Sequence, residues 1–110
     1  MTMAVINGDA AARMLGDVPE DKRFYCSDGR VLKNLVELNM ALVEMSDDTF
    51  AYHSNNEKMD FSNWVKDVIG DEKLARDLGK GVTKVKATKA VNDRIIWLRS
   101  KVPAHRRPKI

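Results

Sequence analysis

Apolar residues recur along most of this chain at steps of three and four, the spacing that stacks side chains on one face of an α-helix. The pattern is densest over 28–45, where Val31, Leu35, Leu38, Leu42 and Met45 form one stripe and Leu32, Val36 and Val43 a second beside it. Together the stripes cover roughly half the helix circumference, wider than the ~100° apolar arc of an ordinary surface helix. A helix over 28–45, capped by Ser27 or Asp28 and covered on two sides, is therefore expected at the centre of the molecule.

The other segments read as its cover. Residues 9–15 predict a short helix, with Asp9 at its start and Gly16 closing it in the left-handed conformation. A charged loop with Pro19 follows over 17–23. Phe24-Tyr25-Cys26 has no obvious partner strand and reads as an extended piece packed on the core. Ser46 followed by Asp47 and Asp48 opens a helix over 47–53 anchored by Phe50, because acids favour the first turn. After a polar turn over 54–58, Asp60 is expected to cap a helix whose buried face is Phe61, Trp64, Val65, Val68 and Ile69, with Met59 and Trp64 at staple spacing. Gly70 stops it, Asp71 caps the next helix with Leu74 and Leu78 inward, and Gly79 and Gly81 end that one. The last helix runs over 83–102 on the stripe Val91, Ile95, Leu98 and Val102, until Pro103 stops it. The fold class is all-α: about five or six short helices packed around the 28–45 helix. Residues 1–102 make one helical domain, and 103–110 a flexible basic tail.

Composition agrees with one globular domain: 110 residues, 44% hydrophobic and 32% charged. No apolar run approaches the ~20 residues that span a bilayer, and the first residues lack the basic and apolar blocks of a secretory signal. The single cysteine, Cys26, excludes an internal disulfide and a four-cysteine zinc site, which fits a reducing cytoplasm. Charge changes the picture more. Residues 80–110 hold ten bases (Lys80, Lys84, Lys86, Lys89, Arg94, Arg99, Lys101, Arg106, Arg107, Lys109) and one acid, Asp93, while the chain as a whole is only +3. Such a split means either a nucleic-acid contact or a basic helix lying across an acidic body, and the second is the commoner arrangement.

Candidate chemistry is sparse. His53 and Asp60 stand seven residues apart across a loop, which suits an oriented base or half a metal site, but more commonly a structural histidine that caps a helix end or bonds a loop carbonyl. A metal needs more ligands, and the other histidine, His105, sits in the basic tail. Cys26 has no supporting motif and reads as a buried small hydrophobe. The acids of 67–77 do not follow a calcium loop, and the glycines do not follow a phosphate loop. On the last helix, Trp97 lies off the apolar stripe on the side of Lys86, Arg94 and Lys101. It is placed either to stack on a nucleobase or to pack under lysine stems.

The run Tyr52-His53, then Asp60-Phe61-Ser62-x-Trp64, then Asp71-x-x-Leu74-Ala75 resembles a small archaeal and bacterial domain of unknown function, over about residues 18–80. That resemblance implies no activity. It marks Tyr52, His53, Asp60 and Trp64 as the binding residues to test. With no catalytic constellation in the sequence, the expectation is a non-enzymatic cytoplasmic helical module that binds another macromolecule, a protein ahead of a nucleic acid. No cofactor, metal or membrane is implied. The nucleic-acid alternative uses Lys84, Lys86, Lys89, Arg94, Trp97, Lys101, Arg106 and Arg107. A third reading is a small-molecule sensor with a pocket beside Tyr52, His53 and Trp64.

Overall fold

The structure, a computed structural model, describes residues 6–103. Among these residues the chain is an all-α bundle with one small two-stranded sheet. Its elements are α1 (Gly8–Leu15), a 3-10 turn (Glu20–Lys22), β1 (Phe24–Tyr25), β2 (Val31–Leu32), α2 (Leu35–Glu44), α3 (Asp47–His53), α4 (Asp60–Trp64) running into a π turn (Val65–Ile69), α5 (Glu72–Asp77) and α6 (Lys84–Lys101). No helix among the described residues is long and apolar enough to cross a membrane. The part of the tail from residue 104 onward, with Arg106 and Arg107, lies outside the described residues.

α2 is the central helix, with Leu35, Leu38, Ala41 and Leu42 almost wholly removed from solvent. It packs against α6, which also carries α1 along its length. From α6, Ala87, Val91, Ile95 and Leu98 enter the core, and Val102 closes it beyond the last turn. Burying side chains of this size is worth roughly 1.5–3 kcal/mol each relative to exposure, and this apolar seam holds the bundle together. α4 and α5 close the other side, joined where the Ser62 hydroxyl donates to the Ala75 carbonyl at 2.6 Å.

The central helix is shorter than its apolar spacing implies. Residues 24–32 form a hairpin instead, with Phe24 opposite Leu32 and Tyr25 opposite Val31. Gly29, at φ 96°, makes the turn that an L side chain resists. The helix then starts at Asn34, whose side chain accepts from the Glu37 amide at 2.8 Å. Glu37 reaches back to accept from the Lys33 amide at 2.9 Å, so the two satisfy orphan donors reciprocally. Phe24-Tyr25 is thus a paired strand rather than a lone extended piece, and Val31 faces solvent.

Three local expectations also change. Asn7, not Asp9, caps α1, accepting from the Ala10 amide at 2.8 Å. Gly16 sits in extended rather than left-handed backbone, with φ −79° and ψ 170°. Asp60 is the first residue of α4 rather than its cap; the residue before it, Met59, supplies no side-chain cap bond. Ser46 and Asp71, the caps expected there, each accept an amide of the following first turn, and Thr83 does the same at the start of α6. Gly70, at φ 85°, ends the π turn, its amide donating to the Val65 carbonyl five residues back at 2.8 Å.

Candidate functional site

The residues singled out by sequence separate into a buried group and a surface group. His53 ends α3 and is only 5% exposed. Its Nε2 accepts from the Ser27 amide at 2.9 Å, at the start of the hairpin turn. A ring that accepts at Nε2 carries its proton on Nδ1, which faces Asp60 Oδ2 at 2.9 Å. Both ring nitrogens are therefore engaged within the fold, and Asp60 is drawn away from capping α4. Around the imidazole pack Phe24 edge-on at 5.1 Å between centroids, Phe61 at 5.4 Å and Tyr52 at 5.0 Å. Trp64 closes the cluster against Phe24 and donates its indole N–H to the Lys22 carbonyl at 2.8 Å, tying the 3-10 turn to α4.

This arrangement fixes three chain segments around one imidazole: the hairpin turn, the end of α3 and the start of α4. Of the four motif residues, His53 and Trp64 are core, and Asp60 is half-buried beneath Lys58, whose Nζ lies 3.3 Å away. Only Tyr52 stands at the surface, with the Lys58 ammonium 3.9 Å over its ring. Cys26, buried in the adjoining strand end, is likewise structural. Burial pushes its thiol pKa up, against the opposing pull of the Asp28 amide. Among the described residues no three His, Cys, Asp or Glu side chains come together as a metal-holding group.

The basic last helix divides the same way. Arg94 is 9% exposed and forms a two-point bond to Asp71, Nε to Oδ2 at 2.7 Å and Nη2 to Oδ1 at 3.0 Å. Asp71 is 1% exposed and also caps α5, Oδ1 accepting from the Leu74 amide at 3.2 Å. Arg94 therefore belongs to the interior, where it joins α6 to α5, and is withdrawn from the set that faces solvent. The Trp97 ring stacks on its guanidinium at 4.3 Å, with the Lys101 ammonium at 5.0 Å. Lys89 pairs with Asp93, and Lys84 approaches Asp47 at 4.0 Å. Lys86, Lys89, Trp97 and Lys101 remain on the exposed side of α6.

A further set of exposed side chains includes Val31 and Val43, which sequence spacing assigned to the apolar stripes of the central helix, and Tyr25, read as packed on the core. Tyr25, Val31, Met40 and Val43 are 63%, 44%, 55% and 59% exposed. The Arg30 guanidinium binds Glu44 at the end of α2, and the Lys33 amide binds Glu37 in its first turn. These two bonds hold the second strand of the hairpin beside α2, with Leu32 turned into the core and Val31 on the opposite, solvent-facing side. Tyr25 shares the face of its cross-strand partner Val31. Met40 and Val43 continue the α2 stripe that begins with half-buried Val36. The legible signal was the breadth of the apolar arc: one helix cannot bury half its circumference when a two-residue strand covers its flank. Comparison with family models, with curated proteins and with solved structures finds no match for this chain.

Proposed function

We propose that the chain is a non-enzymatic cytoplasmic module that binds another protein, and that it does so through the face made by the β1–β2 hairpin and α2. One observation carries this reading: two pairs of large apolar side chains, Tyr25 with Val31 on the hairpin and Met40 with Val43 on α2, stand exposed on regular elements. Clustered exposed apolar groups cost solubility and mark interaction sites more often than single ones do. The residues whose chemistry would suit an enzyme are otherwise occupied, since His53 has both nitrogens bonded inside the fold. The test is a photocrosslinking amino acid placed at Val43 in the protein's own cells, with Asn92 as control. A single partner captured at Val43 alone, which binds the purified protein and is lost on Val43→Glu, supports the reading. Equal labelling at both positions counts against it.

A second reading is nucleic-acid binding along α6, favoured by one feature: half-exposed Trp97 lies with Lys101 at its ring and Lys86 on the same side of the helix. About five phosphate contacts would give log affinity against log salt a slope near −4.5 on duplex DNA. A flat salt response rejects it.

A further inference from the structure

We infer that His53 is a proton-operated latch on the hairpin turn: protonation of its ring releases the Ser27 amide and frees residues 27–29 from α3 while the bundle stays folded. A donor and acceptor count comes first. The Ser27 N–H donates to Nε2 at 2.9 Å, so Nε2 presents a lone pair and carries no proton. Nδ1 faces Asp60 Oδ2 at 2.9 Å and carries the ring's one N–H. A second proton can enter only at Nε2. There it would meet the Ser27 hydrogen head-on, at a residue only 5% exposed, where two opposed donors have little water to satisfy them. The latched turn and an imidazolium therefore exclude each other.

The surroundings decide which partner moves. Asp60 lies on the Nδ1 side, and a carboxylate holds an imidazolium by a charge-assisted bond stronger than the neutral one. Lys58 sits beyond it, 3.3 Å from the same Oδ2, and tempers that pull. Tyr52, Phe24 and Phe61 pack their rings around the imidazole. On the hairpin, Cys26 and Asp28 flank Ser27, and Asp28 is turned to Arg30, accepting its amide at 3.1 Å and its guanidinium at 3.0 Å. Protonation thus tightens the ring onto Asp60 and costs it Ser27: the ring stays and the turn leaves. The turn can leave as a unit, because residues 27–29 are exposed and its inner bonds do not involve the imidazole. Those bonds run from the Gly29 amide to the Cys26 carbonyl at 3.0 Å and from the Cys26 amide to the Arg30 carbonyl at 2.8 Å. Arg30 stays tied to Glu44. Histidine is the side chain that ordinarily changes charge between about pH 5 and 8. Only the released state takes the extra proton, so each unit of acidification below the ring's ionisation favours release by up to about tenfold. The turn links Tyr25 to Val31, and acid therefore loosens the hairpin that presents this pair. The latch follows from these bonds alone and stands apart from the protein-binding reading.

The experiment titrates the full isotope-labelled chain by NMR from about pH 8 to about pH 5. It reads the His53 ring nitrogens, the amide shifts and the amide protection factors, which report local opening with the intrinsic pH dependence of exchange removed. At the alkaline end the ring should be the Nδ1–H tautomer. On acidification the ring nitrogens and the Ser27 amide should move with one midpoint, and Ser27 protection should fall at least about tenfold across it. The Cys26 amide and the core amides of Leu38 and Val91 should keep their protection. Asp60→Asn keeps an acceptor for Nδ1–H but removes the charge that holds the imidazolium, so the same transition should move to lower pH. In His53→Gln the Ser27 amide should not respond to pH in this range; the parent and Asp60→Asn decide the matter if that variant does not fold. The opposite tautomer at the alkaline end, a Ser27 amide that ignores the ring's titration, or core amides that lose protection at the same midpoint would overturn the latch. So would an unmoved or raised midpoint in Asp60→Asn. A ring still neutral at about pH 5 would overturn it too, since the turn would then stay latched throughout histidine's ordinary range.

Discussion

Replacing Arg94 by Met keeps the length and much of the volume of its side chain but removes the charge that faces Asp71. In the parent, two charge-assisted bonds of 2.7 and 3.0 Å join these side chains. Without Arg94, Asp71 Oδ1 retains only the Leu74 amide, and Oδ2 loses its partner in a site 1% open to solvent. Removing one member of a buried ion pair costs about 3–5 kcal/mol, most of it the penalty of the stranded charge rather than the worth of the bond. A chain of this size has about 5–15 kcal/mol of stability in total, so the variant should fold but sit close to the edge. At about 4 °C per kcal/mol for roughly 100 residues, the melting temperature should drop by about 12–20 °C. Urea titrations of Arg94→Met, Asp71→Ala and the double variant complete a cycle. The double variant should be less destabilised than the sum of the singles by about 2 kcal/mol or more, because it strands neither charge. A loss under about 1 kcal/mol for Arg94→Met, or additive singles, would mean that water reaches the pair and that Arg94 is a surface residue after all.

Leu38→Ala, at a position with no exposed area in the centre of α2, should cost about 2–5 kcal/mol through the cavity it leaves, and an unchanged urea midpoint would remove α2 from the core. His53→Ala should destabilise by about 1–3 kcal/mol for the Ser27 amide left without its acceptor, with further loss from the aromatic cluster; a variant as stable as the parent that has lost a ligand would instead make His53 a binding residue. Cys26 should resist alkylation until the protein unfolds. Its folded pKa lies above the unfolded one, so the native state holds the thiol proton more tightly; stability is complete below the unfolded value of about 8.5 and declines as pH rises past it. Comparing urea midpoints of the parent and Cys26→Ala from pH 7 to 10 checks the sign, and a difference that grows in the parent's favour at high pH would refute it. Deleting residues 83–110 should abolish cooperative unfolding, because Ala87, Val91, Ile95, Leu98 and Val102 leave the core with α6.

Helices with both a cap and an apolar stripe were legible in the sequence. α3 and α6 begin where Ser46 and Thr83 predict, and the inward stripe of α6 is the one its spacing defines. The start of α2 was not legible, for a physical reason. Val31 and Leu32 fit a helical stripe as well as they fit a strand, and the choice depends on Phe24 and Tyr25 being available to pair, which spacing within one segment does not encode. Asp60 failed as a cap because His53 competes for its carboxylate across the loop. Arg94 was read as a solvent charge, yet a signal for its burial was present. It lies three residues after Val91 and four before Leu98, on the apolar stripe itself, where a charge requires a partner. Finding Asp71 as that partner required the fold. The exposed hairpin–α2 face was hidden by the same reasoning that located the core, since an apolar arc carries no mark of which part is covered.

The wall that α6 provides has a consequence for how the chain is made. α1 and α2 pack along a helix that starts only at Lys84, so the apolar side of α2 has no cover while the intervening residues are synthesised. At about 5–20 residues per second, the roughly 40 residues between the end of α2 and the start of α6 take about 2–8 s. Until α6 is present, Leu35, Leu38 and Leu42 lack the helix that α2 packs against, and the hairpin and aromatic cluster around His53 do not replace it. A chain that stops short of residue 84 should therefore keep this stripe uncovered and aggregate, whereas one that continues through residue 102 can cover it as soon as α6 is free to dock.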